Sequence, residues 1–104
     1  MTSFDDRENA FETKFAHDAE MKFRAEVRCN KLVGLWAADL LGKTGDEAMA
    51  YALEVVEADF EEAGHEDVVR KIAADLAGKA TAEDVRAKLL EMLPVAKAQL
   101  MSEL

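Results

Sequence analysis

A chain of 104 residues is the length of one domain, and it can bury roughly 60–65% of its extended surface in a single small core. Half of its residues are apolar and 34% are charged, with a formal net charge of −9, which excludes the basic footprint that a nucleic-acid binder needs. A single cysteine excludes an internal disulfide, and no apolar run is long enough to cross a bilayer.

The start, MTSFDDRENAF, carries no apolar signal-peptide core, so the sequence reads as a cytoplasmic protein with no direct membrane insertion. Ala, Leu, Glu, Lys and Asp dominate and β-branched residues are scattered, which favours helix throughout. Ser3 is a candidate N-cap with acidic residues in the turn that follows. Phe4, Phe11 and Phe15 follow at steps of seven and four and share one helical face among charged neighbours such as Asp5, Asp6, Arg7 and Lys14. Two readings of this arm stand side by side: the aromatics pack on the rest of the chain, or they anchor it in a groove of another protein. His17-Asp18 marks a weak point, either a pH-sensitive hinge or passive surface.

From Met21 to Leu41, Met21, Ala25, Cys29, Leu32, Trp36 and Leu40 recur at helical spacing, widened by Val33, Ala37 and Leu41. This is the main core stripe, and truncating Trp36 within it is expected to exceed the chain's spare stability. Lys22, Arg24, Arg28 and Lys31 are read as the opposite, basic face. Cys29 reads as a small buried hydrophobe. Gly34, inside the stripe, points to close approach of another helix or to a bend. Gly42 suits the left-handed position that closes a helix, and Thr44 with Glu47 predicts a capping box opening the next. Gly42-Lys43-Thr44 is not a phosphate-binding loop, because position 37 is Ala37 and a helix precedes it.

A second helix is expected over 46–63, with Ala48, Tyr51, Ala52, Val55, Val56 and Phe60 inward. A short third is expected from Glu66 to about Ala77, with Val68, Val69, Ile72 and Leu76 inward. The acids Glu57, Asp59, Glu61, Glu62, Glu66 and Asp67 lack the loop pattern of a calcium site and read as a solvated face. Thr81 with Asp84 predicts another capping box. The last helix follows, with Val85, Leu89, Met92, Leu93, Ala96, Leu100 and Met101 inward and a kink expected near Leu90, whose carbonyl loses its amide donor to Pro94. Links of two to four residues make neighbours antiparallel. The fold class is therefore all-α: a small four-helix bundle (residues 20–104) with a mobile, charged N-terminal arm (residues 1–19) continuing into the first long helix. No catalytic constellation, metal cluster or cofactor motif emerges, which favours an interaction protein over an enzyme.

The run FDDRENAFETKFAHDAEMKFRAEVRCNKLVGLWAADLLGKTG, continuing through YALEVVEADFEEAGHEDVVRKIAADLAGKA, resembles the zeta subunit of the α-proteobacterial ATP synthase. It departs from that family at Cys29, where a basic residue is expected. The resemblance implies a four-helix inhibitor of ATP hydrolysis by the F1 sector, held at the inner membrane only through F1. It implies that the N-terminal segment, Thr2 to about His17, inserts between catalytic α and β subunits near the rotor. On this sequence that segment carries Phe4, Asp5, Asp6, Arg7, Phe11, Lys14 and Phe15. Lys22, Arg24, Arg28 and Lys31 would extend the contact. Two alternatives remain open at this point: a bundle that senses nucleotide through weak binding at the basic face, and an assembly factor without inhibitory activity.

Overall fold

The computed structural model describes residues 19–59 and 66–103. Four helices follow one another: α1 (Ala19–Leu40), α2 (Gly45–Asp59), α3 (Glu66–Asp75) and α4 (Ala82–Ser102). Among the described residues there is no strand. The arm, the His17-Asp18 step, Phe60 and the expected last turn of the second helix lie outside the described residues.

The turns follow from local chemistry. Gly42 takes φ 75 and closes α1 with the paired bonds of a Schellman motif: the Lys43 amide donates to the Ala38 carbonyl at 2.9 Å and the Gly42 amide to Asp39 at 3.0 Å. Thr81 forms the expected capping box, accepting from the Asp84 amide at 3.2 Å while its own amide donates to Asp84 Oδ2 at 2.9 Å. The box expected at Thr44 does not form among the described contacts. Its carbonyl accepts from the Glu47 and Ala48 amides, but Gly45 directly after it takes φ 55, so the entry departs from regular capping geometry. Pro94 does not divide α4. It lies on the exposed side, where water can serve the Leu90 carbonyl that loses its amide donor.

Helix α1 is the spine, with α2 on one flank, α4 on another and α3 bridging them. Its buried row is Met21, Ala25, Cys29, Val33 and Ala37, every fourth residue. Such a row turns by about 40° per step, because four residues exceed one 3.6-residue turn. The lower part of α1 therefore faces α4, while a second buried row of Asn30, Gly34 and Ala38 faces α2. This corrects the single stripe expected from periodicity: Leu32, Trp36 and Leu40 are only partly buried, at the edge of the main core. Trp36 carries Lys88 Nζ over its ring at 5.3 Å from the centroid. A tryptophan held at a margin in this way costs less to truncate than one at the centre.

Gly34 meets α2 as the sequence predicts. A Cβ built there would stand 2.9 Å from the Ala52 Cα and 3.3 Å from the Val55 Cβ. The main core joins Val33, Ala37 and Ala38 to Val55, Val68, Val69, Ile72, Leu76, Val85, Leu89 and Ala96. A separate, smaller cluster of Met21, Ala25 and Leu100 pins the lower end of α1 to the end of α4.

Candidate functional site

The residues that carry chemistry in the described part are charged or buried, and most are engaged. Cys29 is enclosed between α1 and α4, and its thiol donates to the Leu89 carbonyl at 3.4 Å. Burial, then the nearby charges of Glu26 and Asp59, push that thiol up to about 11. A thiol so poised stays protonated near neutral pH and is a poor nucleophile, as its place in the buried stripe suggested. Tyr51 donates its hydroxyl to Asp75 Oδ2 at 2.8 Å, with Lys71 Nζ 3.1 Å from the same oxygen and 5.2 Å from the ring centroid. Burial, the hydrogen bond and the charges of Asp75 and Glu54 hold the phenol well above its usual range. This knot ties α2 to α3.

Of the acids read as a solvated face, Glu66 receives Arg86 at 2.8 Å and Asp67 pairs with Arg70, while Glu57 is exposed; Glu54 of α2 receives Lys71 at 3.5 Å. No group of three His, Cys, Asp or Glu side chains among the described residues is placed to hold a metal ion. No helix of the described residues is long and apolar enough to cross a membrane.

The four cations read from the sequence as one face of α1 are divided by the structure. At 3.6 residues per turn, Arg24, Arg28 and Lys31 fall within about 60° of one another, whereas Lys22 lies about 120–180° away from them. Arg24, Arg28 and Lys31 line a cleft of about 400 Å³ with Phe23 and Val27 of α1 and with Leu100 and Glu103 of α4. Arg28 spans the cleft: one guanidinium nitrogen donates to Gln99 Oε1 at 2.9 Å and another to both Glu103 oxygens at 2.9 and 3.0 Å. Arg24 pairs within its own helix, to Glu20 at 2.7 Å. Lys31, half-buried at the rim, has no carboxylate partner among the described residues. The seven arm residues from Phe4 to Phe15 named above lie outside the described residues.

Sequence reasoning did not find Asn30, which is fully buried with neither its amide nitrogen nor its oxygen hydrogen-bonded. It did not find the Arg28 clasp or the Tyr51 knot either. Gln99 and Glu103, four apart on the last helix, were the available signal for the clasp, but spacing alone does not name the helix they face.

Fold and site together define a small all-α protein of four helices among the described residues. Over residues 1–99 the chain matches the family model described as ATPase inhibitor subunit zeta, and it belongs to that family. That membership gives it a general inhibitory role at ATP synthase. It is also similar to a chain whose structure was solved in solution by NMR, at 65% identity and a TM-score of 0.75, covering 81% of this chain and 99% of that one. No curated protein matches it.

Proposed function

We propose that this chain blocks ATP hydrolysis by inserting residues 2–17 at an interface between catalytic α and β subunits of F1, beside the rotor. The observation that carries the reading is the family match, which begins at residue 1 and so takes in the whole arm. The arm's composition supports it. Phe4, Phe11 and Phe15 supply anchors at helical spacing, each contributing about 2–3 kcal/mol when fully buried. Asp5, Asp6, Arg7 and Lys14 fix register through charge. Residues 1–19 form the inhibitory unit and residues 20–104 its folded carrier. The chain works in the cytoplasm, held at the inner membrane through F1.

The test is ATP hydrolysis by the cognate F1 sector, with the full chain and with a chain lacking residues 2–17 whose helical circular dichroism is unchanged. Inhibition by the full chain alone is expected. Equal inhibition by both would move the inhibitory contact onto the bundle. No inhibition by either would reject the proposal in favour of an assembly or nucleotide-sensing role.

A further inference from the structure

We propose that the outer face of α4 holds this chain's own N-terminal arm in the absence of F1, so that the inhibitory segment is stored on its carrier. The docking stands on the observations that follow, and its effect on inhibition rests on the inhibitory reading above.

The face itself is the first argument. Helix α4 buries Val85, Leu89, Ala96 and Leu100. On its other side Ala87, Leu90, Pro94, Ala98 and Met101 recur at steps of three and four and fall within about 80° of one another. Between residues 87 and 101 no charged side chain falls inside that arc. Leu90 is 77% exposed, Ala87, Pro94 and Ala98 are exposed, and Met101 is half-buried. In a chain that is 34% charged, an uninterrupted apolar row facing water is shaped for a partner.

The arm's length and its point of attachment name the occupant. Residues 1–18 lie outside the described residues and join the bundle at Ala19. Helices α1 and α4 are antiparallel, with Met21 packed on Leu100 and Cys29 against the Leu89 carbonyl, so Ala19 stands level with the end of α4. Four residues separate Phe15 from Ala19, a reach of about 14 Å, against about 8–10 Å between packed helices. An arm turned back over that end runs parallel to α4. With Phe15 beside Met101, equal helical rise brings Phe11 to the level of Lys97 and Ala98, and Phe4 to that of Leu90. The other exposed apolar pair, Met49 and Leu53, sits on α2 near its contact with Gly34, about 22 Å along α1 from Ala19, and no row leads from it to the arm.

Charge selects the direction. Beside the phenylalanine stripe, Arg7 and Lys14 fall on one edge and Glu8 and Glu12 on the other. Beside the α4 row, Arg86 and Lys97 fall on one edge and Asp84 and Glu91 on the other. Helices packed parallel set opposite edges together, as the flanking positions of a parallel coiled coil do. The arm's acids then lie along the Arg86–Lys97 edge, and Arg7 comes within a turn of Glu91. An antiparallel second copy would instead set acid edge against acid edge. Each of these α4 charges already has a partner, so they orient the arm while the phenylalanines hold it.

The experiment places a nitroxide on Ser3→Cys in the otherwise intact chain and follows backbone amides by NMR. Cys29 is buried, so the introduced cysteine takes the label. Broadening is expected around Leu90 and Glu91 and not around Leu53. Leu90→Ser should abolish it, and Leu53→Ser, an exposed leucine on α2, is the control that leaves it unchanged. Glu91→Lys should weaken it, and Arg7→Glu added to Glu91→Lys should restore it. Equal thermal melts establish that each variant folds. In titrations of ATP hydrolysis by the cognate F1 sector, unlabelled Leu90→Ser should lower Kd about 3–10-fold, because an arm stored about 70–90% of the time is competent only for the remainder. Broadening centred elsewhere, or surviving Leu90→Ser, overturns the proposal. Broadening passed from a labelled chain to an unlabelled one gives the face to a second copy, and a Kd raised by Leu90→Ser gives it to F1; either overturns the proposal, as does an unchanged Kd. Inhibition by the wild-type chain without broadening on α4 leaves only the inhibitory reading standing. Broadening on α4 in a chain that does not inhibit F1 sustains the docking and rejects that reading.

Discussion

Asn30→Leu should make this protein more stable. Asn30 has no exposed surface, and its carboxamide oxygen and nitrogen find no hydrogen-bond partner, although it lies in the row of α1 that packs on α2. A buried amide left unpaired costs about 1–3 kcal/mol. Leucine branches at the same carbon but is a larger side chain, so crowding returns about 1 kcal/mol of that gain. It also favours a helix interior by a few tenths of a kcal/mol over asparagine. The expected gain is about 1 kcal/mol. For a domain of this size that raises Tm by about 4–8 °C. Urea unfolding followed by circular dichroism would show the midpoint move up with the slope unchanged. Asn30→Asp gives the opposite sign, since a carboxylate in the same place must be desolvated or protonated. A midpoint that falls in Asn30→Leu would refute the reasoning, because only an amide that makes hydrogen bonds in the folded chain is missed when it is removed.

Two further predictions follow from the packing. Gly34→Ala should lower stability by about 1–2 kcal/mol: the helix gains about 1 kcal/mol from alanine, but the new methyl must push back the Ala52 backbone at 2.9 Å, an overpacking loss of about 2–3 kcal/mol. A midpoint equal to or above wild type would show that α1 and α2 separate freely. Stability should also fall with rising alkaline pH, because Cys29 (held at about 11 against 9.0) and Tyr51 keep their protons in the folded chain after the unfolded chain has released them. The unfolded state then binds fewer protons, so stability is full below about pH 9 and declines through about pH 11, by at most about 1.4 kcal/mol per pH unit for each group. Melts between pH 8 and 11 should flatten in Cys29→Ala and Tyr51→Phe; an unchanged slope in both would reject those two groups as the source.

What was legible in the sequence is what local chemistry decides. Gly42 and Thr81 announced a helix end and a helix start because their neighbours within five residues complete the motif. Gly34 announced a close approach because glycine in a long apolar helix has few other reasons to be there. The four helices and most inward residues of α3 and α4 follow from period alone, since each of those helices buries essentially one face. Helix α1 did not yield to the same rule. Two neighbours on different flanks displace its buried surface from the 3-and-4 stripe to a row of fours that winds around the helix and add a second row, which brought Asn30 inside and left Trp36 at the margin. The candidate surface was half legible for the same reason. The basic residues were visible, but Lys22 was grouped with cations it does not face, and Glu103 and Gln99 gained meaning only when α4 was laid beside Arg28. The arm residues were named by resemblance and aromatic spacing, and they lie outside the described residues.

The two clusters of the core also bear on how the proposed inhibitor is built. The main core draws on all four helices, whereas the lower end of α1 is secured by Met21 and Ala25 against Leu100 and by the Arg28 clasp. Burial of Met21 and Leu100 contributes about 2–3 kcal/mol apiece as an upper figure, and a half-exposed ion pair adds about 0–1 kcal/mol. The main core buries several times as many large side chains. Local opening therefore costs far less at the lower end of α1 than anywhere in the main core. That is the end to which residues 2–17 are joined. An arm attached there can be drawn into a partner, or turned by it, without strain reaching Val33, Ile72 or Leu76. Substitutions in the main core should therefore lower the melting temperature far more than truncation of Met21 or Leu100 in the small cluster.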